Sequence, residues 1–227
     1  MLKIKTWRDP YDAGFSTTRL KEISINEGLT VLVGCNGAGK TTLLRNIKDQ
    51  CRTDNIPCLH YDNLREGGSR AFEAATIHNI ELASELYNAS EGEAVKINFG
   101  TVASKIKYFL KTGFVSQNKE PSKDNRRVLL FDALDSGLSV DSVAEIRNVV
   151  NLILEDAKKI GMEVYIIISA NEYEMARKAP CFDVVSGKYV ELQDYEAYRD
   201  FIINSRKRKD KRNEVSEKRQ LRKAKRQ

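Results

Sequence analysis

Gly34-Cys35-Asn36-Gly37-Ala38-Gly39-Lys40-Thr41 fits the pattern G-x-x-x-x-G-K-[ST] at every fixed position. Its surroundings fit as well. Leu29 to Val33 is an apolar run that leads into the first glycine. Lys40 to Cys51 follows as a helix, with Leu43, Leu44, Ile47 and Cys51 on one face. A strand, loop and helix in this order turn several backbone N–H groups toward one point. Glycines permit that turn, and the helix start adds a partial positive charge. The unit suits a phosphate chain, with Lys40 reaching the terminal phosphates and the Thr41 hydroxyl binding Mg²⁺.

Working outward, such a loop needs an acidic partner at the end of a neighbouring strand. Val128-Leu129-Leu130-Phe131-Asp132 supplies four apolar residues followed by a carboxylate. Asp132 is the expected Mg²⁺ holder, usually through water. Pro57 to Tyr61 and Val164 to Ser169 also read as strands, and Ser142 to Ile160 as a helix closed by Gly161. Helices are expected over 71–88 and 92–111, with an irregular polar connection from Gln117 to Arg127. One strand is expected from Ile4 through Thr6-Trp7 and another from Arg19 to Ile25. Asn26-Glu27-Gly28 reads as a hairpin turn, and Asp183 to Leu192 as a hairpin turning at Ser186-Gly187. Apolar strands alternating with helices predict an α/β fold. Its mostly parallel sheet is covered by helices, with a small N-terminal antiparallel β part and a short helical subdomain.

The residues around these motifs narrow the class. Asn36-Gly37-Ala38-Gly39-Lys40-Thr41-Thr42-Leu43-Leu44 resembles the N-G-x-G-K-[ST]-T-L-L form of ABC ATPases. Asp132-Ala133-Leu134-Asp135-Ser136-Gly137-Leu138-Ser139 resembles their D-E-P-x-S-x-L-D run. Between them, Ser90-Glu91-Gly92-Glu93 resembles the signature S-x-G-[QE]. The resemblance covers residues 20 to 192 and implies an ATP- and Mg²⁺-binding domain over 1–204, with a signature subdomain near 71–127. It also implies a head-to-tail homodimer, in which Ser90 and Gly92 face the γ-phosphate held by the other copy. A simpler reading makes Ser90 a helix N-cap and Glu93 its capping-box partner.

Three stations depart from the family. The position after the Pro57–Tyr61 strand reads Asp62-Asn63 with no Gln, which leaves Asn63 as a metal or water contact. The switch histidine is replaced by Asn171, which donates a hydrogen bond but does not titrate. Ala133 stands where the family places the Glu that activates the attacking water. Losing a general base costs about 10²–10⁴-fold in rate. Two origins remain open for Ala133: a Glu-to-Ala exchange that traps ATP in the closed dimer, or a native alanine in a pseudo-ATPase. Asp135 lies at an offset that does not suit it to the same task. For adenine, Trp7, Tyr11 and Phe15 are stacking candidates.

Composition bounds the rest. The 227 residues suit one domain with an appendage. No apolar run approaches the ~18 residues of a membrane span, so no membrane insertion is expected. The N-terminus lacks a secretory pattern, which places the chain in the cytoplasm. Cys35, Cys51, Cys58 and Cys181 form no C-x-x-C pair and are expected as reduced thiols. Residues 205–227 form a basic tail, with 12 Lys or Arg against 3 Asp or Glu, a net of +9. The remaining 204 residues therefore carry −3 of the overall +6. That tail is a solvated segment or a contact for nucleic-acid phosphates or a protein partner. The leading expectation is an ABC-class ATPase of the SMC and RecF-like kind, whose ATP-driven dimer acts on nucleic acid or a protein. The alternatives are an ABC transporter ATP-binding subunit and a non-hydrolysing, ATP-dependent assembly switch.

Overall fold

The computed structural model describes residues 1–6, 20–63, 105–114 and 121–224. Among the described residues, six strands form the central sheet: β3 (Gly28–Val33), β4 (Cys58–Asp62), β5 (Arg126–Asp132), β6 (Glu163–Ser169), β7 (Cys181–Asp183) and β8 (Lys188–Val190), in the order β4-β5-β6-β3-β7-β8. All neighbours are parallel except β7 and β8, which form the expected hairpin. A separate antiparallel pair joins β1 (Leu2–Lys5) to β2 (Glu22–Ile25). The described helices are α1 (Lys40–Thr53), α2 (residues 105–112), α3 (Val140–Lys159), α4 (Tyr173–Ala176) and α5 (Tyr195–Ala224).

The sheet is apolar on both faces because it is covered on both. Leu32, Val128, Leu130, Tyr165 and Ile167 pack with Leu43, Leu44 and Ile47 of α1 and with Ile4, Ile23 and Ile25 of the small sheet. Their sequence neighbours Val31, Val33, Leu129, Phe131, Ile166 and Ile168 point the other way, toward Ile146, Val150 and Ile153 of α3 and Phe109 of α2. Period-two alternation along each strand therefore feeds two cores. Each fully buried Leu or Ile contributes about 1.5–3 kcal/mol.

Two expectations are corrected. Asn26-Glu27-Gly28 is not a hairpin turn, because β2 and β3 lie in different sheets. Both edges of β3 are taken, by β6 and by β7, so β2 pairs with β1 instead. Gly28, at φ +92°, turns the chain between the two sheets. The second correction concerns Arg127, which was assigned to an irregular connection but lies inside β5 and is fully buried. Its guanidinium donates to the carbonyls of Leu110, Asp124 and Arg126, so local backbone accepts a side chain that composition alone assigns to solvent. Burial pushes its pKa down, and Asp124 opposes that shift.

Residues 205 to 224 continue α5 without a break from Tyr195. Tyr198, Phe201 and Ile202 pack on the α3 side of the core. Tyr198, Phe201, Ser205, Arg208 and Lys209 follow one another at steps of three, four, three and one, which sets them along one face of the helix. All four cysteines are free thiols. Among the described residues, no helix is long and apolar enough to cross a membrane.

Candidate functional site

The carboxyl ends of β3, β5 and β6 converge because the strands are parallel and adjacent in the order β5-β6-β3. In open α/β sheets, ligands bind outside that edge. β3 delivers Gly34 to Gly39 there. Gly37 at φ +71° and Gly39 at φ +103° occupy the left-handed region that the loop requires. A Cβ on Gly34 would meet the Ala38 Cβ at 3.0 Å, a tight approach that leaves little room for a side chain at that point. Ala38 N–H donates to Cys35 O at 3.0 Å and closes the turn. Asn36 and Gly37 form the exposed rim. Thr41, Thr42 and Lys40 are half-buried behind it.

The Lys40 ammonium lies across the loop and donates to Gly34 O at 2.8 Å. Burial lowers its pKa, while the nearby carboxylates of Asp135 and Asp132 oppose that shift. β5 ends on Asp132, which is buried. Ser169, the last residue of β6, donates its hydroxyl to Asp132 Oδ1 at 2.6 Å and accepts Ala133 N–H at 2.7 Å. A single hydroxyl therefore orients the carboxylate and pins the residue after it. Ser169 was read from the sequence only as the end of a strand. A small hydroxyl residue closing the run Val-Tyr-Ile-Ile-Ile is the signal that could have found it.

Ala133 has φ +52°, a conformation that costs a non-glycine residue roughly 1 kcal/mol or more. Its carbonyl accepts from Ser136 N–H at 3.0 Å and from Asn63 Nδ2 at 3.1 Å, and these bonds hold the bend. Asn63 also donates to Ser136 O and accepts from the Tyr61 hydroxyl. Its buried amide braces the loop after β5 from the end of β4. The register of those two strands sets Asp62 beside Asp132.

Asp135 emerges as a site residue that its sequence offset did not suggest. It is only 1% exposed, and its Oδ2 accepts the backbone N–H groups of Asn171 and Glu172, each at 2.7 Å. Its Oδ1 is buried without a hydrogen-bond partner. Burial raises its pKa, and the two backbone donors oppose that rise. Asn171 itself is exposed at the exit of β6, and its carbonyl accepts from the Tyr198 hydroxyl of α5 at 2.8 Å.

α5 reaches the loop as well. Cys35 N–H donates to the Ser205 hydroxyl at 3.2 Å, and Ser205 is fully buried. Arg206 and Lys209 both donate to Asn36 O, at 3.5 and 3.1 Å. Arg208 pairs at 3.0 Å with Asp183, which is buried at the end of β7. Trp7, Tyr11, Phe15, Ser90 and Gly92 lie outside the described residues, as does most of the 71–127 segment.

The loop, the Asp132 carboxylate beside it and the strand order define a P-loop domain of the ABC ATPase class. The family described as AAA domain matches residues 13–227, and the chain belongs to it. Two solved structures are similar. One is an ATP-binding cassette of an ABC transporter in its ADP conformation, 14% identical, with a TM-score of 0.49, covering 89% of this chain and 96% of that one. The other is a nucleotide-free ATP-binding cassette from an ABC transporter, 15% identical, with a TM-score of 0.44, covering 90% and 98%. No curated protein matches the chain.

Proposed function

We propose that this chain binds Mg·ATP at Asn36 to Thr42 and uses it to close a head-to-tail homodimer that acts on nucleic acid or on a protein partner in the cytoplasm. The observation that carries the reading is the tight glycine loop after β3, separated by the single strand β6 from an Asp132 carboxylate that Ser169 holds in place. The cradle fits a phosphate chain, since Gly37 and Gly39 take left-handed backbone and the loop leads straight into the N-terminus of α1. Thr41 and Asp132 are the protein groups that would hold Mg²⁺. Two oxygen ligands suit an ion that takes the rest of its shell from phosphates and water. Bound there, Mg²⁺ neutralises charge that develops on the phosphates.

Lys40 would exchange the Gly34 carbonyl for phosphate oxygens. Asn171 stands at the β6 exit as the neutral replacement for a switch histidine. Ser90 and Gly92 would complete the site of the opposite copy, which makes residues 71–127 the signature subdomain of the ATP-binding domain over 1–204. The net charge of +9 over residues 205–227 is what would attract the phosphates of a nucleic acid or an acidic protein.

Ala133 supports a second reading, an assembly switch that binds ATP without turning it over. An alanine offers no base to the attacking water, so turnover is expected to be slow in either reading. The test measures solution mass by light scattering, with and without Mg·ATP, alongside phosphate release. It uses the native chain and Ala133→Glu. A dimer that forms with ATP, and that loosens as Ala133→Glu gains turnover, supports the ATPase reading. A dimer that forms in both proteins with no phosphate release supports the switch. No ATP binding by either protein overturns both.

A further inference from the structure

α5 carries two cations to the rim of the phosphate loop, and their present partner is a neutral oxygen. The Arg206 guanidinium and the Lys209 ammonium converge on the single carbonyl of Asn36. A Cβ built on Gly37 would lie 2.5 Å from Lys209 Nζ. The ammonium therefore sits directly over Gly37, the fourth position of the loop. Among the described residues Lys209 pairs with no carboxylate. Arg206 has only the exposed Asp210, at 3.8 Å.

The placement is anchored. Ser205 is fully buried and bonds to Cys35 N–H, Arg208 bonds to the buried Asp183, and Tyr198 bonds to Asn171 O. Three contacts on one helical face fix the height and rotation of α5 over the loop. Arg206 and Lys209 sit between and beside those anchors, so their reach to the rim is set by the helix. A neutral carbonyl satisfies a cation less well than an anionic phosphate oxygen does, because the phosphate adds charge–charge attraction to the hydrogen bond. A cation placed beside the outer phosphates of a bound nucleotide is the arrangement by which an arginine finger stabilises phosphoryl transfer.

We infer that Lys209, assisted by Arg206, is a phosphate-contacting residue supplied in cis by α5, which engages the γ-phosphate and makes the site prefer nucleoside triphosphate over diphosphate. The inference rests on the nucleotide-site reading above. It assigns part of the basic segment to the chain's own site, ahead of any external partner.

The test is an equilibrium titration of the full chain with Mg·ATP and, separately, Mg·ADP. The proteins compared are the native chain, Lys209→Gln, Lys209→Arg and the double variant Arg206→Ala/Lys209→Ala, each first checked by thermal melting. The native chain is expected to bind both nucleotides and to favour ATP. Lys209→Gln is expected to weaken ATP by about 10-fold, the scale of one hydrogen bond to a charged group. The same change should leave ADP within about 2-fold. The double variant should lose more ATP affinity, and Lys209→Arg should restore most of it.

Equal weakening of ATP and ADP overturns the inference, because α5 would then merely brace the loop. Tighter ATP binding by the variants also overturns it, since the cations would then obstruct the site. If the native chain binds neither nucleotide, the nucleotide reading falls and the inference falls with it. If it binds both and the variants do not discriminate between them, only the inference falls.

Discussion

The sheet and the C-terminal helix are held to each other and to themselves by different forces. Every central strand buries alternate residues in two cores. Ile167 packs toward α1 and Ile168 toward α3, and neither depends on a single partner. Beyond Ile202, α5 is held by directed polar contacts instead: Ser205 to Cys35 N–H, Arg208 to Asp183, and Arg206 and Lys209 to Asn36 O. Apolar burial is non-directional and spread over many contacts, so it resists local change. A few hydrogen bonds worth about 0.5–1.5 kcal/mol each are conditional. The sheet therefore depends little on any one contact, whereas the hold of α5 over the phosphate loop rests on a few named polar groups.

Four measurements break or sharpen this contrast. The largest effect belongs to the body. Ile167→Ala is expected to cost about 2–5 kcal/mol in chemical denaturation, through lost burial and the cavity left behind. A cost below about 1 kcal/mol would mean that the two-faced sheet is not the main source of stability. The second targets the loop. Lys40→Ala should weaken Mg·ATP binding by about 10²-fold, with an unchanged circular dichroism spectrum. Retained affinity would remove Lys40 from the phosphate contacts.

The third change tests the strap. Ser205→Ala deletes the hydroxyl that accepts Cys35 N–H and should cost about 1 kcal/mol. Hydrogen exchange should quicken in α5 beyond residue 202 and at Cys35, while β5 and β6 stay protected. Uniform acceleration would show that helix and body unfold as one unit.

The smallest effect concerns pH. Burial raises the Asp135 pKa in the folded protein above its ordinary 3.8. The folded state thus binds this proton more tightly than the unfolded chain. Its contribution to stability is fully present below the unfolded value and is lost as pH rises through the folded one. Asp135→Asn keeps an oxygen for the Asn171 and Glu172 N–H groups and removes the titration. Denaturation midpoints measured from pH 4 to 7 should fall less steeply in the variant than in the native protein. Parallel profiles would mean that the carboxyl is relieved by another group.

The frame was legible because its signals are local or periodic. Gly34 to Thr41 announces itself by type and spacing, Val128 to Asp132 and Val164 to Ser169 by unbroken apolarity, and Ser142 to Ile160 by three-and-four periodicity. What misled was the reading of charge as exposure. Arg127 is buried because carbonyls of α2 and of the preceding turn converge on it, and no window of sequence displays that convergence. Asp135 was set aside for its offset from Asp132. Its buried place, within electrostatic reach of Lys40, arises only when the chain bends at Ala133 and the β6 exit presents two N–H groups to its carboxylate.

The sequence by itself determined that this protein has a phosphate loop between a buried strand and a helix, an acidic strand end to face it, and an alanine where a base is expected. Those features rest on residue types in a short covalent span, where spacing dictates geometry. Only the tertiary structure decided that Ser169 orients Asp132, that Asp135 is buried against the Asn171 and Glu172 N–H groups, and that a basic helix begun at Tyr195 sets Lys209 over Gly37. The reason is that each of these contacts joins residues far apart in the chain, and their meeting depends on strand order and helix docking rather than on any local preference.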